Sequence, residues 1–264
     1  MNRHEFLRQL HAQLRPRNYL EIGVNDGRSL ALSRVPSIAV DPAFRITVPI
    51  RCDVHLVKET SDDFFAREDP IRHLRSSRDP RKNLRRGRPP FGAWIGKTTV
   101  DLAFIDGLHL FEFALRDFMN TERLTGPSSV IVLDDMLPRN VDEAARDRHT
   151  GDWAGDVYKV IPVLREHRPD LVVIPVNTTP TGVLVVVGAD ATNTVLPERY
   201  DDIVARWVVP DPQDIPPDIL GRHGAADPER LLVSGVWHEF ASHRAGAASA
   251  AVKRLRSGAE RFTA

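Results

Sequence analysis

The sequence predicts an α/β fold: a seven-stranded, mostly parallel sheet closed by an antiparallel C-terminal hairpin and covered by helices on both faces. Three observations lead there. Short apolar runs alternate with helical stretches through most of the chain, which is the rhythm of a parallel sheet with crossover connections. The runs number seven. The last two are separated only by Asn177 to Thr181, too short a link for a parallel crossover, so they form a hairpin.

Taken in order, Phe6, Leu7, Leu10 and Leu14 recur at helical spacing and predict a short amphipathic helix ending near Pro16. Tyr19 to Gly23 reads as a buried strand, Ser37 to Val40 as a second and Val54 to Val57 as a weaker third. Residues 71 to 90 carry eight Lys or Arg against one Asp and almost no apolar periodicity, which reads as a long exposed loop. It is either a solvated surface or a lid that recognises an anionic acceptor. Val100 to Ile105 and Ser129 to Leu133 are the next strands, with an amphipathic helix from Glu112 to Leu124 between them, carrying Phe113, Leu115 and Phe118. The hairpin strands begin at Leu171 and Gly182. Beyond Pro210 the chain is rich in Pro, Asp and Ala, with helices expected near 228–240 and 247–262. This part is too poor in large apolar groups to fold alone. The organisation expected is therefore a domain over residues 1–200 and an extension over 201–264 that packs on that domain or on a second subunit, as in a homodimer.

Composition narrows the function. In 264 residues, 36 basic and 36 acidic side chains leave a formal charge of zero, which argues against a nucleic-acid binder acting through global charge. Hydrophobic residues at 42% and charged residues at 27% are ordinary globular usage, enough for a real core. The single Cys52 permits no intramolecular disulfide and no thiolate metal site. No signal-peptide-like apolar stretch opens the chain and no run of about 18 apolar residues occurs, so a cytoplasmic protein with no membrane partner is expected.

The first chemical signal is the turn after the first strand, Glu21-Ile22-Gly23-Val24-Asn25-Asp26-Gly27, opening into Arg28-Ser29. Glycines there allow a tight turn from strand to helix and close approach of a ligand. Glu21 stands where a dinucleotide fingerprint has its first Gly, and a carboxylate would repel a pyrophosphate; a cationic ligand suits it. E-x-G-x-x-x-G, followed by a second strand ending in Val40-Asp41, resembles the class I S-adenosylmethionine (SAM) methyltransferases. The resemblance implies a Rossmann-like sheet, a glycine turn meeting the methionine part, Asp41 on the ribose hydroxyls, and Ser61 and Asp62 near adenine. The implied cofactor set is Glu21, Gly23, Gly27, Ser29, Asp41, Ser61, Asp62 and Asp106.

The second signal is Asp106-Gly107-Leu108-His109 after the fourth strand and Asp134-Asp135 after the fifth. Ligands of open parallel sheets bind at the carboxyl ends of strands, and adjacent strands lie about 4.8 Å apart, so these carboxylates can meet. Uncompensated, they would repel one another, and a divalent cation resolves this; oxygen ligands favour Mg²⁺, or Mn²⁺ or Ca²⁺, over zinc. DGLH followed by LDD, and the longer IDGLHLFEFALRDF with LDDMLPRN, resembles the metal-dependent O-methyltransferases of sugars and other hydroxyl-bearing natural products. The resemblance covers roughly residues 18 to 188. It implies that Asp106, Asp134 and Asp135 hold the metal, with His109 as general base and Asp106 beside it in catalysis. A structural histidine and a helix-capping Asp pair are the plainer alternatives. Asp101 and Asp117 are expected to be solvated or capping.

Around this centre, Trp153, Asp156, Tyr158 and Lys159 in TGDWAGDVYKV either line an acceptor pocket or fasten a helix to the sheet, and Arg139 and Asn140 lie within reach of an acceptor. The function expected is SAM- and Mg²⁺-dependent O-methylation of a small-molecule hydroxyl, on a saccharide or glycosylated metabolite. The alternatives are a non-catalytic SAM-fold binding module and a metal-dependent, hydroxylase-like enzyme on the same fold.

Overall fold

The structure, a computed structural model, describes residues 1–75 and 98–258. Every strand expected is present: β1 (Tyr19–Ile22), β2 (Ser37–Val40), β3 (Val54–Val57), β4 (Val100–Ile105), β5 (Thr125–Leu133), β6 (Val172–Val176) and β7 (Val183–Val187). They form one sheet in the order β3-β2-β1-β4-β5-β7-β6. The first five are mutually parallel, and β7 runs antiparallel to both β5 and β6. β1 stops at Ile22 because Gly23 turns the chain at φ +82°. β5 begins at Thr125 rather than Ser129: Gly126-Pro127 reads as a turn, yet Thr125 pairs with Val100 before a register irregularity.

Alternation along the strands divides the core in two. Leu20, Ile22, Ile38, Ile105, Ile131 and Leu133 face one side and bury against α3 (Phe111–Glu122), α4 (Val160–His167) and α5 (Val195–Trp207). Tyr19, Ala39, Leu102, Phe104, Val130 and Val185 face the other. That side is covered by α1 (Arg3–Leu14), whose Phe6, Leu7, Leu10 and Leu14 are all buried as their spacing requires. The later helices join it: after α6 (Pro217–Leu220) come α7 (Pro228–Val233), α8 (Trp237–Ala241) and α9 (Ala245–Gly258), with Leu231, Trp237, Phe240 and Leu255 in the same cluster. α5 runs through position 200, across the expected boundary between domain and extension.

Three expectations about polar segments change. The arginine-rich stretch does not begin as an exposed loop: Ile71 and Leu74 are buried in the core. Its continuation, 76–97, lies outside the described residues. Asp101 is buried, not solvated, because Arg17 donates to it from its backbone N–H and through both guanidinium nitrogens Nε and NH2, at 2.7 to 2.8 Å. Asp117 is buried at the sheet-facing side of α3, where burial pushes its carboxyl up to about 7 against the hydrogen bond from Ser61.

Trp237 is fully buried and its indole N–H donates to Leu231 O at 3.0 Å. Trp237→Ala should cost about 3–5 kcal/mol in denaturant unfolding; a loss under about 1 kcal/mol would show that the C-terminal helices add little to this core.

Candidate active site

Ile22, Val40, Ile105 and Leu133 stand side by side in register at the ends of β1, β2, β4 and β5. The residues that follow them, Gly23, Asp41, Asp106 and Asp134, therefore form the first row of the carboxyl edge. The strand order reverses between β1 and β4, where ligands of open α/β sheets bind.

At Gly23 a Cβ would fall 1.7 Å from Asp106 O, so the backbone at the end of the neighbouring strand already demands glycine here. Gly27, also at positive φ, packs on Ile46. The turn does not open into an α-helix as expected; it leads to a single 3₁₀ turn, Leu30–Leu32, preceded by the buried Ser29. Asp41 holds the turn: Oδ2 accepts from the N–H groups of Val24 (2.9 Å) and Asn25 (2.8 Å), and Oδ1 from Ala43 N–H (2.6 Å). Glu21 shares the face of Tyr19, under α1, and accepts from the Tyr19 hydroxyl at 2.6 Å, while its Oε1 is buried without a partner. Burial pushes Glu21 up to about 8, so it is largely neutral at pH 7 and does not bring the charged carboxylate expected. Ser61 and Asp62 open the short α2 (Ser61–Phe65) beyond β3 and tie it to α3: Ser61 bonds Asp117, and Asp62 takes a two-pronged bond from Arg116 at 2.6 and 2.7 Å.

The carboxylates after β4 and β5 do converge, but with a different division of labour from the expected Asp106, Asp134 and Asp135. Asp106, His109 and Asp135 are brought together, with one ligand atom from each within 4.8 Å of the others. His109 Nε2 lies 3.3 Å from Asp106 Oδ1 and 3.3 Å from Asp135 Oδ2. Asp134 instead points to the first turn of α1, where Arg3 NH1 donates to its Oδ2; its other oxygen is buried and unpartnered. Burial, with Asp135 and Asp106 nearby, pushes the Asp134 carboxyl well up, and Arg3 opposes this. Asp135 adopts φ +62° and accepts from the Thr181 hydroxyl of the β6–β7 link.

The segment 153–156 positions His109. The Nδ1 of His109 lies 2.7 Å from Trp153 O, which makes Nδ1 the protonated nitrogen and leaves Nε2 facing the carboxylates. The Trp153 ring stacks on the imidazole at 5.1 Å and its indole N–H donates to Ala145 O at 2.7 Å. Gly155 (φ +64°) packs so closely that a Cβ would sit 1.7 Å from His109 O, and Asp156 accepts from Phe111 N–H at 2.7 Å, capping α3. Asp156 also binds Arg146 and the buried Lys159. Of the two readings of this motif, fastening is the one the contacts favour. Arg139 and Asn140 are both exposed and bond Glu143, and Arg139 also bonds Asp152.

The donor set fits a divalent cation. Separations of 3.3 Å between donors match adjacent ligands on one ion, roughly 3 Å apart for bonds of about 2.1 Å. A set that included the imidazole would admit Mn²⁺, Fe²⁺ or Zn²⁺ beside Mg²⁺. A shallow depression beside the cluster is lined by Asp106, Leu108, His109, Asp134, Met136 and Val157 among others. Arg3 was not visible as a site residue in the sequence: it lies 131 positions from Asp134, in a helix whose pattern signals only packing.

Burial lowers the His109 pKa, but its hydrogen bond to Asp106 and the charges of Asp135 and Asp106 outweigh it and lift the group to about 9. Because this exceeds the unfolded value of about 6.5, the stabilisation is fully present below pH 6.5 and is lost as pH rises through about 9. In the presence of chelator, wild-type stability to urea should therefore fall across pH 6.5–9 more steeply than that of His109→Gln; parallel slopes would mean the imidazole is not charged in the native cluster.

Residues 20–136 match the model of a family described as Methyltransferase domain. No curated protein matches the chain in sequence. Among solved structures, the O-methyltransferase TomG from Streptomyces achromogenes, involved in tomaymycin synthesis and solved with SAM, is 17% identical at a TM-score of 0.45, over 71% of this chain and 79% of that one. An O-methyltransferase from Bacillus cereus with S-adenosylhomocysteine is 16% identical at 0.43, over 70% and 80%. The S-adenosylhomocysteine-bound methyltransferase PaMTH1 of Podospora anserina is 12% identical at 0.42, over 71% and 78%. The match to the methyltransferase-domain model, over residues 20–136, falls on the part of the chain that builds β1 to β5 and carries Asp41, Asp106, His109 and Asp135, in a seven-stranded sheet that ends in an antiparallel pair.

Proposed function

We propose that this domain methylates a hydroxyl oxygen of a small molecule, a saccharide or glycosylated metabolite, with a divalent cation at Asp106 and Asp135 and with His109 as general base. The observation that carries the reading is the fixed orientation of His109: Nδ1–H is committed to Trp153 O, and Nε2 faces the two carboxylates at 3.3 Å. When bound, SAM supplies the methyl group and the divalent cation lowers the pKa of the acceptor hydroxyl.

The residues of the chain do the rest. Asp106 and Asp135 would supply the charge that holds the ion, and the Thr181 hydroxyl, which donates to Asp135 Oδ1, fixes that carboxylate with Oδ2 toward His109. The Trp153–Asp156 turn prevents the imidazole from rotating, so Nε2, which holds a proton while it faces the two carboxylates alone, would be freed to act as base in place once a cation at Asp106 and Asp135 took over their charge. Proton transfer to a well-placed base contributes roughly 10²- to 10⁴-fold in rate. A saccharide is favoured because neighbouring hydroxyls form a two-toothed ligand for one ion. Every group named here lies between Asp106 and Thr181, inside the sheet-forming part of the chain.

A second reading has its own support: since Nε2 is as close to each carboxylate as a shared ion requires, His109 is the third ligand instead of the base. His109→Gln separates the two. As base, its loss should leave Mn²⁺ affinity by calorimetry within about threefold and lower kcat by roughly 10²-fold or more; as ligand, its loss should weaken Mn²⁺ binding at least tenfold. For either, Asp135→Asn should abolish metal-stimulated methyl transfer to a vicinal-diol acceptor, followed by mass gain of the product. Full turnover after exhaustive chelation would overturn the metal assignment.

A further inference from the structure

We propose that Arg3 binds the carboxylate of the methionyl group of SAM, which makes the first turn of α1 part of the cofactor site. This rests on the SAM-dependent reading above.

Arg3 is held in place from both sides. Its backbone N–H donates to Thr179 O at 3.1 Å, and Thr179 N–H donates to Met1 O at 3.0 Å, so the start of the chain is stitched to the β6–β7 link. The guanidinium then reaches the ends of β4 and β5, where NH1 binds Asp134 and lies 3.9 Å from Asp106 Oδ2. The side chain is only 27% exposed. Among the described residues no hydrogen bond engages its Nε or NH2. A guanidinium carries five donors in a fixed fork that suits a carboxylate. One arm is anchored, and neither of the other two nitrogens is among the buried polar atoms without a partner.

The chemistry of methyl transfer makes that position informative. An acceptor oxygen at Asp106, His109 and Asp135 must lie about 3–3.5 Å from the methyl carbon, which places the sulfonium beside the same cluster. The methionyl carboxylate is three carbons from the sulfur, so it too falls within a few ångströms of this edge. Against Asp106, Asp134 and Asp135 alone, that carboxylate would meet only like charge. Among the described residues, Arg3 is the only Lys or Arg with a nitrogen within 4.0 Å of Asp106 or Asp134. Its neighbour His4 has its pKa lowered by burial, Arg3 and Arg28, and so adds no competing cation at neutral pH. Arg28, on the glycine turn, is paired with Asp26 at 3.0 Å.

The test compares two nucleosides on the full chain by calorimetry: S-adenosylhomocysteine, which has the amino-acid end, and 5′-methylthioadenosine, which lacks it. Arg3→Met combined with Asp134→Asn removes the pair without leaving a buried carboxylate unpartnered, and a thermal melt checks that it folds. The double variant should bind S-adenosylhomocysteine about 10- to 100-fold more weakly and 5′-methylthioadenosine within about twofold of wild type. Arg3→Lys, which keeps the charge on Asp134 and loses the fork, should show a smaller loss confined to the same ligand. Unchanged S-adenosylhomocysteine affinity in the double variant would overturn the assignment, and so would equal losses for both ligands, which would make Arg3 structural. A wild-type chain that binds neither nucleoside would remove the SAM reading and, with it, this inference.

Discussion

Repulsion among the carboxylates at the ends of β4 and β5 is the constraint around which this edge of the molecule is arranged. Asp106, Asp134 and Asp135 are forced together by the parallel register, and two of them are buried. Three like charges in a poorly solvated cluster cannot all remain ionised without compensation. The chain meets this with two cations from distant positions, Arg3 on Asp134 and the imidazolium of His109 between Asp106 and Asp135. Three acidic groups face two cations, and burial with mutual repulsion pushes the Asp134 and Asp135 carboxyls up. A further cation at this place would relieve that repulsion.

Each compensating cation is itself held by a separate part of the fold. The β6–β7 link supplies both Thr179, which pins the backbone of Arg3, and Thr181, whose hydroxyl orients Asp135. The 153–156 turn supplies the carbonyl, the ring and the close glycine contact that fix His109. Strong electrostatics at short range are useful in catalysis only if the groups do not relax when charge moves. Backbone ties of this kind limit that relaxation, which explains why two segments with no acid–base chemistry of their own converge on the cluster.

Much of this architecture was legible in the sequence, because apolar runs of strand length report burial directly. Ser37–Val40, Val54–Val57 and Val100–Ile105 appear at the bounds their patterns indicate, and the shortness of 177–181 dictated the antiparallel pair. The convergence of Asp106, His109 and Asp135 followed from their places at the ends of adjacent strands. What the pattern could not show was pairing across distance. Asp134 and Asp135 are adjacent and chemically identical, and only the approach of α1 separates them into a partner of Arg3 and a carboxylate that faces His109. For the same reason Asp101 and Asp117 looked solvated or capping: the arginine and serine that satisfy them lie 84 and 56 positions away. The glycine turn holds a further constraint that the sequence did not show, since a Cβ at position 23 would fall 1.7 Å from Asp106 O, at the end of β4.

The same long-range dependence bears on how the chain ends serve the site. The connections from β1 to β2 and from β2 to β3 contain no α-helix, so one face of the sheet has no crossover helices of its own there. That face would expose Tyr19, Ala39, Phe104 and Val132 if nothing else covered it. α1 and the C-terminal helices fill the gap, packing on each other as well as on the strands, with Phe6, Leu10, Trp237 and Phe240 in one cluster. Covering the face and delivering Arg3 are thus one structural event: the burial that anchors α1 also sets where its first turn must lie. An arginine projecting from a frayed end would lose too much side-chain freedom to hold a charge partner well. Projected from a helix whose apolar residues are already fixed in the core, it reaches Asp134 with little further ordering, and the packing of the chain ends becomes part of the electrostatics of the site.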